Sequence, residues 1–190
     1  MSRLCYGLFL CGWYNFREVI FMSGGYEIER KFLIEYPDIK LLSGKYEVES
    51  TEIVQTYLGG DSSTRVRKRG SDGCYAYTLT VKKSITDVVR TENEKTISEE
   101  EYNSLIAEYA GNSHTVEKIR CCFPFENQLI EIDLYPFWND KAILEIELPS
   151  VDSPYYIPKE ISVIREVTSE ARYRNAVISK TPMEELKEYD

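Results

Sequence analysis

The chain has 190 residues, with 32 Asp and Glu against 23 Lys and Arg, a formal net charge of -9 and a sequence pI near 4.9. This length suits one ordinary domain with a sizeable core, and the content of 43% hydrophobic and 13% aromatic residues excludes a disordered acidic tail. The acidic balance disfavours binding to duplex nucleic acid, because proteins of that class usually present a net basic surface.

Five cysteines and a single histidine limit the metal and redox chemistry of the chain. The cysteines, which include the adjacent Cys121 and Cys122, have neither the spacing of a zinc site nor that of a disulfide framework. His114 alone cannot supply a multi-histidine metal site. We therefore expect reduced thiols in a cytoplasmic protein, and we expect any metal to be a cation held by oxygen, such as Mg²⁺ or Mn²⁺.

Residues 1–25 differ in composition from the rest of the chain. Leu4–Trp13 is apolar enough to resemble a weak signal-peptide core but is too short to span a bilayer. Met22 then precedes Ser23-Gly24-Gly25 and the first clear strand. We expect an N-terminal extension whose true start is Met22, followed by one domain over residues 26–190, and no membrane partner. An authentic signal or membrane-surface segment is the alternative.

The first half of the domain reads as strands separated by turns. The predicted strands are Tyr26–Ile34, Glu52–Leu58, Ser62–Arg69, Cys74–Lys82 and Val88–Ile97, with a helical turn at Ile39–Leu42. Glycine-rich clusters at Gly59-Gly60-Asp61 and Gly70–Gly73 favour hairpin turns. Ser98-Glu99-Glu100-Glu101 is a capping box, and it predicts a helix that ends at Gly111.

The second half adds three strands and a helical C-terminus. The predicted strands are His114–Phe123, Gln128–Leu134 and Ala142–Leu148. Thr168 or Ser169 caps a predicted helix over Glu170–Ser179, and a second capping box at Thr181 places Pro182 at the first helical position. About eight strands in up-and-down order predict an α+β, mainly β fold, in which a closed eight-stranded antiparallel barrel has helices outside.

Charged residues recur two positions apart within these strands, so each set lies on one face of its strand. The sets are Glu27/Glu29/Lys31, Arg65/Arg67/Arg69, Lys82, Glu92/Glu94, Lys118/Arg120, Glu131/Asp133 and Glu145/Glu147. Burying them dry and unpaired inside a barrel would be prohibitive. We therefore expect a wet interior in which carboxylates hold divalent cations and the basic residues hold a chain of phosphates.

Two of these sets have alternative interpretations. Arg65–Arg69 also fits a nucleic-acid or localisation patch, although it lies within a strand of an acidic protein. Glu131 and Asp133 could instead form structural ion pairs with Lys118 and Arg120 on the neighbouring strand, because opposite charges commonly pair across strands.

The segment Glu27-Ile28-Glu29-Arg30-Lys31 resembles the ExExK signature of the CYTH domain, the family of triphosphate tunnel metalloenzymes. The resemblance covers Tyr26 to about Lys180 and is closest to the short bacterial type. It continues in the family's order through Arg65-Val66-Arg67, Leu79–Lys82, Arg90–Glu94, Lys118-Ile119-Arg120, Glu131-Ile132-Asp133, Ala142–Glu147 and Val167–Asn175.

The resemblance implies an eight-stranded antiparallel tunnel that binds a triphosphate or polyphosphate with Mg²⁺ or Mn²⁺. It implies that Glu27, Glu29, Glu145 and Glu147 form most of the metal cluster, with Glu94 and Asp133 as further ligands. The phosphate-binding residues that it implies are Lys31, Arg65, Arg67, Lys82, Lys118 and Arg120. A homodimer is the candidate assembly.

The activity that the resemblance implies is hydrolysis of inorganic triphosphate to pyrophosphate and phosphate. Glu29, Lys31 and Glu94 are the candidate catalytic residues, and either glutamate could position the attacking water. Thiamine or nucleoside triphosphatase and adenylate cyclase activity are alternatives within the family. An alternative of another class is a module that binds polyphosphate or a nucleotide without cleaving it.

Overall fold

The computed structural model of the protein describes residues 26–59, 64–84 and 89–189. Its strands are β1 (Tyr26–Glu35), β2 (Glu49–Leu58), β3 (Thr64–Ser71), β4 (Cys74–Ser84), β5 (Val89–Ile97), β6 (Ser113–Phe125), β7 (Gln128–Leu134), β8 (Lys141–Glu147) and β9 (Val163–Glu166). The helices are α1 (Ile39–Ser43), α2 (Glu99–Glu108), a 3₁₀ turn (Ala171–Tyr173), α3 (Asn175–Ile178) and α4 (Met183–Lys187).

The described strands form one antiparallel sheet in the order β5-β4-β3-β2-β6-β7-β8-β1-β9, which confirms the mainly β class. The prediction of a closed eight-stranded barrel is wrong. Among the described residues, the sheet has nine strands, and β5 meets β1 over three residue pairs, at Tyr26–Ile28. Further along the same edge of β1, Phe32–Ile34 pairs with β9. Because β9 takes this part of the edge, β5 cannot pair along the whole of β1.

Two tight turns set the register of neighbouring strands. Asp72 and Gly73 both have positive φ, 53° and 79°, between β3 and β4, and Glu126 and Asn127 repeat this geometry between β6 and β7 with φ of 49° and 62°. Two successive residues with positive φ give a two-residue turn a twist that matches its flanking strands, so these strands stay paired. The glycine cluster before Cys74 therefore forms the predicted turn. The Gly59–Asp61 cluster lies mostly outside the described residues.

The helix caps agree with the sequence in one place and differ in two. Ser98 Oγ accepts a hydrogen bond from Glu101 N at 3.1 Å and caps α2, as predicted. The predicted helix over Glu170–Ser179 is wrong because Arg174 is extended, at φ -78° and ψ 133°, and separates a 3₁₀ turn from α3. Thr181 does not cap α4, because Pro182 is the N-cap and no side chain caps this helix; the Thr181 hydroxyl donates to Val177 O at 2.9 Å.

Apolar side chains pack on both faces of the sheet. We call the face that carries Lys31, Arg120 and Glu145 the inner face, and the opposite one the outer face. One cluster on the outer face includes Phe123 and Leu144 of the strands with Leu42 of α1, and a second joins Val66 of β3 to Tyr102 of α2. The third cluster joins inner-face residues, such as Leu33, to Tyr173 and other residues of the C-terminal segment.

Two further predictions concern the N-terminus of the chain and its contact with membranes. The predicted N-terminal extension over residues 1–25 lies outside the described residues. Among the described helices, none is long and apolar enough to cross a membrane.

Candidate functional site

The strand register brings the predicted charges onto the inner face. Lys31 of β1 pairs with Glu145 of β8, which pairs with Glu131 of β7. In the same way, Asp133 of β7 pairs with Arg120 of β6. In the part of the sheet formed by β3, β4 and β5, Arg65 and Arg67 of β3 pair with Thr80 and Thr78 of β4, and Thr80 pairs with Glu94 of β5. Since residues that pair across strands share a face, alternation along each strand places all of them on one side of the sheet.

Two predicted ligands have only their backbones described. Glu27 lies in β1 opposite Arg90, and Lys82 lies in β4 opposite Glu92. Their strand positions continue the inner-face alternation, but their side chains lie outside what the structure describes.

Arg120 is the centre of a buried ion-pair network on the inner face. Its Nε donates to Asp133 Oδ1 at 2.6 Å and its Nη2 donates to Asp133 Oδ2 at 2.7 Å, so the guanidinium binds this carboxylate with two parallel bonds. Arg120 also pairs with Glu131 and Glu145, and Lys118 pairs with Asp133. The ion-pair interpretation of Glu131 and Asp133 is therefore what the structure shows.

Lys31 completes this network from β1. Its Nζ lies 2.6 Å from Glu145 Oε1 and 4.0 Å from Glu29 Oε1. We call the six residues the paired cluster, and all are at most 6% exposed: Lys31, Lys118, Arg120, Glu131, Asp133 and Glu145. Because burial removes water from these charges, each depends on its partners for stabilisation.

The pKa shifts of the paired cluster follow from competition between burial and partner charges. Burial alone would raise the pKa of Glu145, but the charges of Lys31 and Arg120 outweigh it and hold that pKa well below its ordinary value. Asp133 behaves likewise, with Arg120 and then Lys118 lowering its pKa. For Lys118, burial and the nearby charge of Arg120 dominate and lower the pKa to about 8.

Arg67 has different surroundings on β3. Its Nε and Nη2 each lie 3.3 Å from Gln55 Oε1, and its Nη1 lies 3.9 Å from Glu94 Oε2. Glu94 in turn accepts a hydrogen bond from the Thr80 hydroxyl at 2.8 Å. The Gln55 side chain is fully buried, and its amide oxygen is a neutral acceptor for the guanidinium.

Arg65 and Arg69 extend the row of cations along β3. Arg65 is 6% exposed, and Arg69 Nε donates to Thr51 Oγ1 at 3.1 Å. Arg69 Nη2 lies 3.7 Å from Cys122 Sγ. Burial raises the pKa of the Cys122 thiol to about 12, so the thiol is neutral at physiological pH. The arginines of β3 therefore have hydroxyl, amide and thiol groups among their neighbours.

The carboxylates proposed as metal ligands divide into two groups. Asp133 and Glu145 bind cations of the paired cluster at hydrogen-bonding distance, whereas Glu29 lies 4.0 Å from Lys31 Nζ and directly opposite Glu147 of β8. Like charges placed opposite on neighbouring strands repel, and a divalent cation would relieve that repulsion. Within the described side chains, no three His, Cys, Asp or Glu residues are grouped as a metal site. The metal assignment stays a prediction.

Several contributors to the site had no place among the predicted site residues. Gln55 and Thr80 hold Arg67 and Glu94, and Thr51 holds Arg69. Each of the three alternates in phase with a charged residue across the strand pair, and this signal appears only once the register is known. Thr168 of the C-terminal segment accepts a hydrogen bond from Lys31 N, a contact between residues 137 positions apart that no local pattern marks.

Together the fold and the site define a mainly β protein whose sheet carries many cations and carboxylates on one face, an arrangement suited to anions accompanied by metal cations. The CYTH domain model matches residues 25–153 of the chain. The chain belongs to the CYTH domain family, as the ExExK segment and the other motifs predicted.

Known proteins similar to the chain agree with this membership. A curated protein named inorganic triphosphatase, from Acetivibrio thermocellus, is 33% identical over 165 residues, which are 86% of this chain and 99% of that protein. The crystal structure of the inorganic triphosphatase NE1496 is 26% identical with a TM-score of 0.51, over 82% of this chain and 95% of that one. A structure described as the hypothetical protein NE1496 gives the same identity and TM-score and is covered over 98% of its length.

Proposed function

We propose that this protein is a hydrolase of triphosphate compounds that depends on a divalent metal, with inorganic triphosphate as its substrate and pyrophosphate and phosphate as products. The observation that carries the proposal is the inner face itself. Cations of β1, β3 and β6 share it with the opposed carboxylates Glu29 and Glu147. The similarity to a curated inorganic triphosphatase over 86% of the chain supports the same activity.

The carboxylates of β1 and β8 fit a hard cation, since all of their donors are oxygen. Glu29 and Glu147 would hold Mg²⁺ or Mn²⁺ together with Glu27. Glu145 and Asp133 would join them if a carboxylate oxygen of either residue left its ion pair in the paired cluster. When bound, the metal would neutralise phosphate charge and make a coordinated water more acidic. Anion capture alone would need the cations but not opposed carboxylates, and this favours a hydrolase over a binding module.

The basic residues have separate tasks in the proposed reaction. Arg65, Arg67 and Lys31 would bind phosphate oxygens and stabilise the charge that develops on the leaving pyrophosphate, with Lys82 as a further contact. Lys31, Arg120 and Lys118 are held by carboxylates of the paired cluster, so their phosphate contacts would require partner exchange.

The chemical step is the attack of water on the terminal phosphorus. The water oxygen forms a bond to phosphorus, the bridging P–O bond breaks, and the water proton passes to a base. Glu94 is 36% exposed at its side chain and accepts from the Thr80 hydroxyl, which fixes the carboxylate on the inner face in a position to orient the water. Glu29 is the other candidate for this role. We place the reaction in the cytoplasm, and a homodimer remains the proposed assembly.

A substrate panel tests the proposal. The purified protein is incubated with Mg²⁺ or Mn²⁺ and inorganic triphosphate, ATP, thiamine triphosphate or long-chain polyphosphate, and phosphate and cyclic AMP are measured. We expect metal-dependent release of phosphate from inorganic triphosphate at the highest kcat/KM of the panel. Tight binding of inorganic triphosphate without cleavage under either metal would identify a binding module, and production of cyclic AMP from ATP would identify a cyclase.

A further inference from the structure

Within the part of the chain that the structure describes, the pairing along the edge of β1 that faces β5 and β9 is interrupted next to the candidate site. Tyr26–Ile28 pairs with β5 and Phe32–Ile34 pairs with β9. Lys31 lies between these two pairings. Because a strand edge that lacks a sheet partner must satisfy its backbone groups in another way, the contacts of Lys31 at this edge determine how firmly it is held.

Both backbone groups of Lys31 are bound by the segment that follows β9. Val167 N donates to Lys31 O at 2.8 Å, and Lys31 N donates to Thr168 Oγ1 at 3.0 Å. The second contact uses a side chain where a sheet would use a carbonyl. The Thr168 hydroxyl therefore replaces the carbonyl that a neighbouring strand would offer to the amide of Lys31, the residue whose ammonium group lies on the inner face.

The Thr168 hydroxyl is itself fixed in orientation. Its Oγ1 lies 2.7 Å from Glu166 Oε1, and the same carboxylate oxygen binds Arg30 Nη1 at 2.9 Å. Because a hydroxyl has one proton, donation to Glu166 leaves an oxygen lone pair for Lys31 N. Contacts thus run from Arg30 through Glu166 and Thr168 to the backbone of Lys31. This chain of contacts joins two adjacent residues of β1.

We propose that Thr168 is a positioning residue for Lys31, and that the C-terminal segment thereby sets the position of one cation of the site. The inference rests on the proposed function in so far as Lys31 binds phosphate. The Lys31 side chain points to Glu145, with Nζ 2.6 Å from Oε1, so a shift of the backbone changes its reach toward both the carboxylate and a substrate. Thr168 lies beyond residues 25–153, to which the family model is matched.

Three variants test the role of the hydroxyl. Thr168→Val keeps the shape of the side chain and removes the acceptor, Thr168→Ser keeps the hydroxyl, and Thr115→Val is the control. Thr115 Oγ1 hydrogen bonds to Thr56 Oγ1 at 2.9 Å on the outer face, so the control loses a comparable bond away from the site. We expect kcat/KM for inorganic triphosphate to fall about tenfold in Thr168→Val, the usual effect of one hydrogen bond, and to stay within about twofold in the other two.

A double-mutant cycle with Lys31→Ala separates positioning from a general structural effect. The readout is the dissociation constant for inorganic triphosphate, measured by calorimetry, because it remains accessible when turnover is lost. If Thr168 acts through Lys31, Thr168→Val weakens binding in the wild-type background and has no further effect once Lys31 is removed. Equal weakening in both backgrounds would overturn the proposal.

Hydrogen exchange at the Lys31 amide tests the contact without reference to any activity. We expect exchange of this amide to become at least tenfold faster in Thr168→Val and to be unchanged in Thr115→Val. Unchanged protection in Thr168→Val would overturn the proposed contact. If exchange accelerates but the wild-type protein hydrolyses nothing in the substrate panel, Thr168 holds Lys31 as proposed and the hydrolase function is what fails.

Discussion

The two halves of the inner face stabilise their cations in different ways. In the paired cluster, Lys31 and Arg120 bind buried carboxylates at hydrogen-bonding distance. On β3, Arg67 has the neutral amide oxygen of Gln55 at 3.3 Å and the nearest oxygen of Glu94 at 3.9 Å. The same alternation of charges in the sequence thus produces a network of close ion pairs in the paired cluster. Around Arg67 of β3, it produces longer contacts to an amide oxygen and a carboxylate.

This difference separates stability from ligand binding. A cation that is neutralised by buried carboxylates contributes to the folded state but presents little free charge to an anion. Arg67 contacts the neutral amide oxygen of Gln55, which fixes the guanidinium without adding negative charge, and it lies 3.9 Å from Glu94 Oε2. We therefore expect substitutions in the paired cluster to act first on folding, and substitutions around Arg67 to act first on substrate affinity.

The largest expected effect is that of Arg120→Ala on stability. The substitution leaves Glu131, Asp133 and Glu145 without their shared guanidinium, and uncovering buried charges of this kind typically lowers the free energy of unfolding by about 3–5 kcal/mol. The matched Arg67→Ala should lower it less, by about 1 kcal/mol for the loss of the contact with Gln55 Oε1. Urea unfolding measures both, and equal losses would contradict the division of the inner face.

Glu29→Gln should have the next largest effect, on turnover and not on folding. Loss of one of the opposed carboxylates should lower metal-dependent hydrolysis of inorganic triphosphate at least about 100-fold, which corresponds to roughly 2.7 kcal/mol of transition-state stabilisation. Glu117→Gln, an exposed position on the outer face, is the control. Turnover that survives in Glu29→Gln would show that the metal assignment is wrong, provided that the unfolding midpoint is unchanged.

Gln55→Leu should raise KM modestly. The change removes the acceptor that fixes Arg67, and the loss of such a contact corresponds to about a five- to tenfold rise in KM with little change in kcat. Gln128→Leu is the matched control, since Gln128 is also a buried glutamine and its Oε1 accepts from Tyr156 N at 2.9 Å, away from the site. A similar KM for both variants would remove Gln55 from the site.

The smallest expected effect is the response of the paired cluster to mild acid. Because the folded-state pKa values of Asp133 and Glu145 lie below their ordinary values of 3.8 and 4.5, both groups bind protons more weakly in the folded than in the unfolded state. Their contribution to stability is thus present above about pH 4.5 and is lost as the pH falls through the folded values.

Urea midpoints measured from pH 7 to pH 3 test this sign. We expect the difference between wild type and Arg120→Ala to shrink as the pH falls, because the buried carboxylates that have lost the guanidinium take up protons in the folded variant at a higher pH than they do in the folded wild type. A difference that grows as the pH falls would mean that the cations do not stabilise the ionised carboxylates.

The inner-face pattern could be predicted because the period of a strand is two residues. Spacings such as Arg65/Arg67 and Glu145/Glu147 therefore fixed the face before the pairing of the strands was known. The pairing itself could not be predicted. Whether Asp133 meets Arg120 depends on register, and the sequence left ion pairing and metal binding as equal alternatives for this residue.

Other features depended on contacts distant in the sequence. β9 has four residues, too few for a periodic signal, and it is defined by its pairing with Phe32–Ile34. The predicted helix over Glu170–Ser179 is interrupted because Arg174 is extended. The predicted capping box at Thr181 fails at short range, since the Thr181 hydroxyl bonds back to Val177 O and Pro182 is the N-cap of α4.

The apolar clusters on the outer face have a consequence for how this protein changes over evolutionary time. Phe123, Leu144 and Val66 pack against elements outside the sheet, so the packing of these two clusters is separate from the side chains of Arg67, Gln55 and Thr80 on the opposite face. A change at Arg67 or Thr80 therefore leaves both outer-face clusters intact, whereas Gln55 also binds Tyr57 of the third cluster, on the inner face. Selection can alter these two polar positions while the packing of the outer face is conserved.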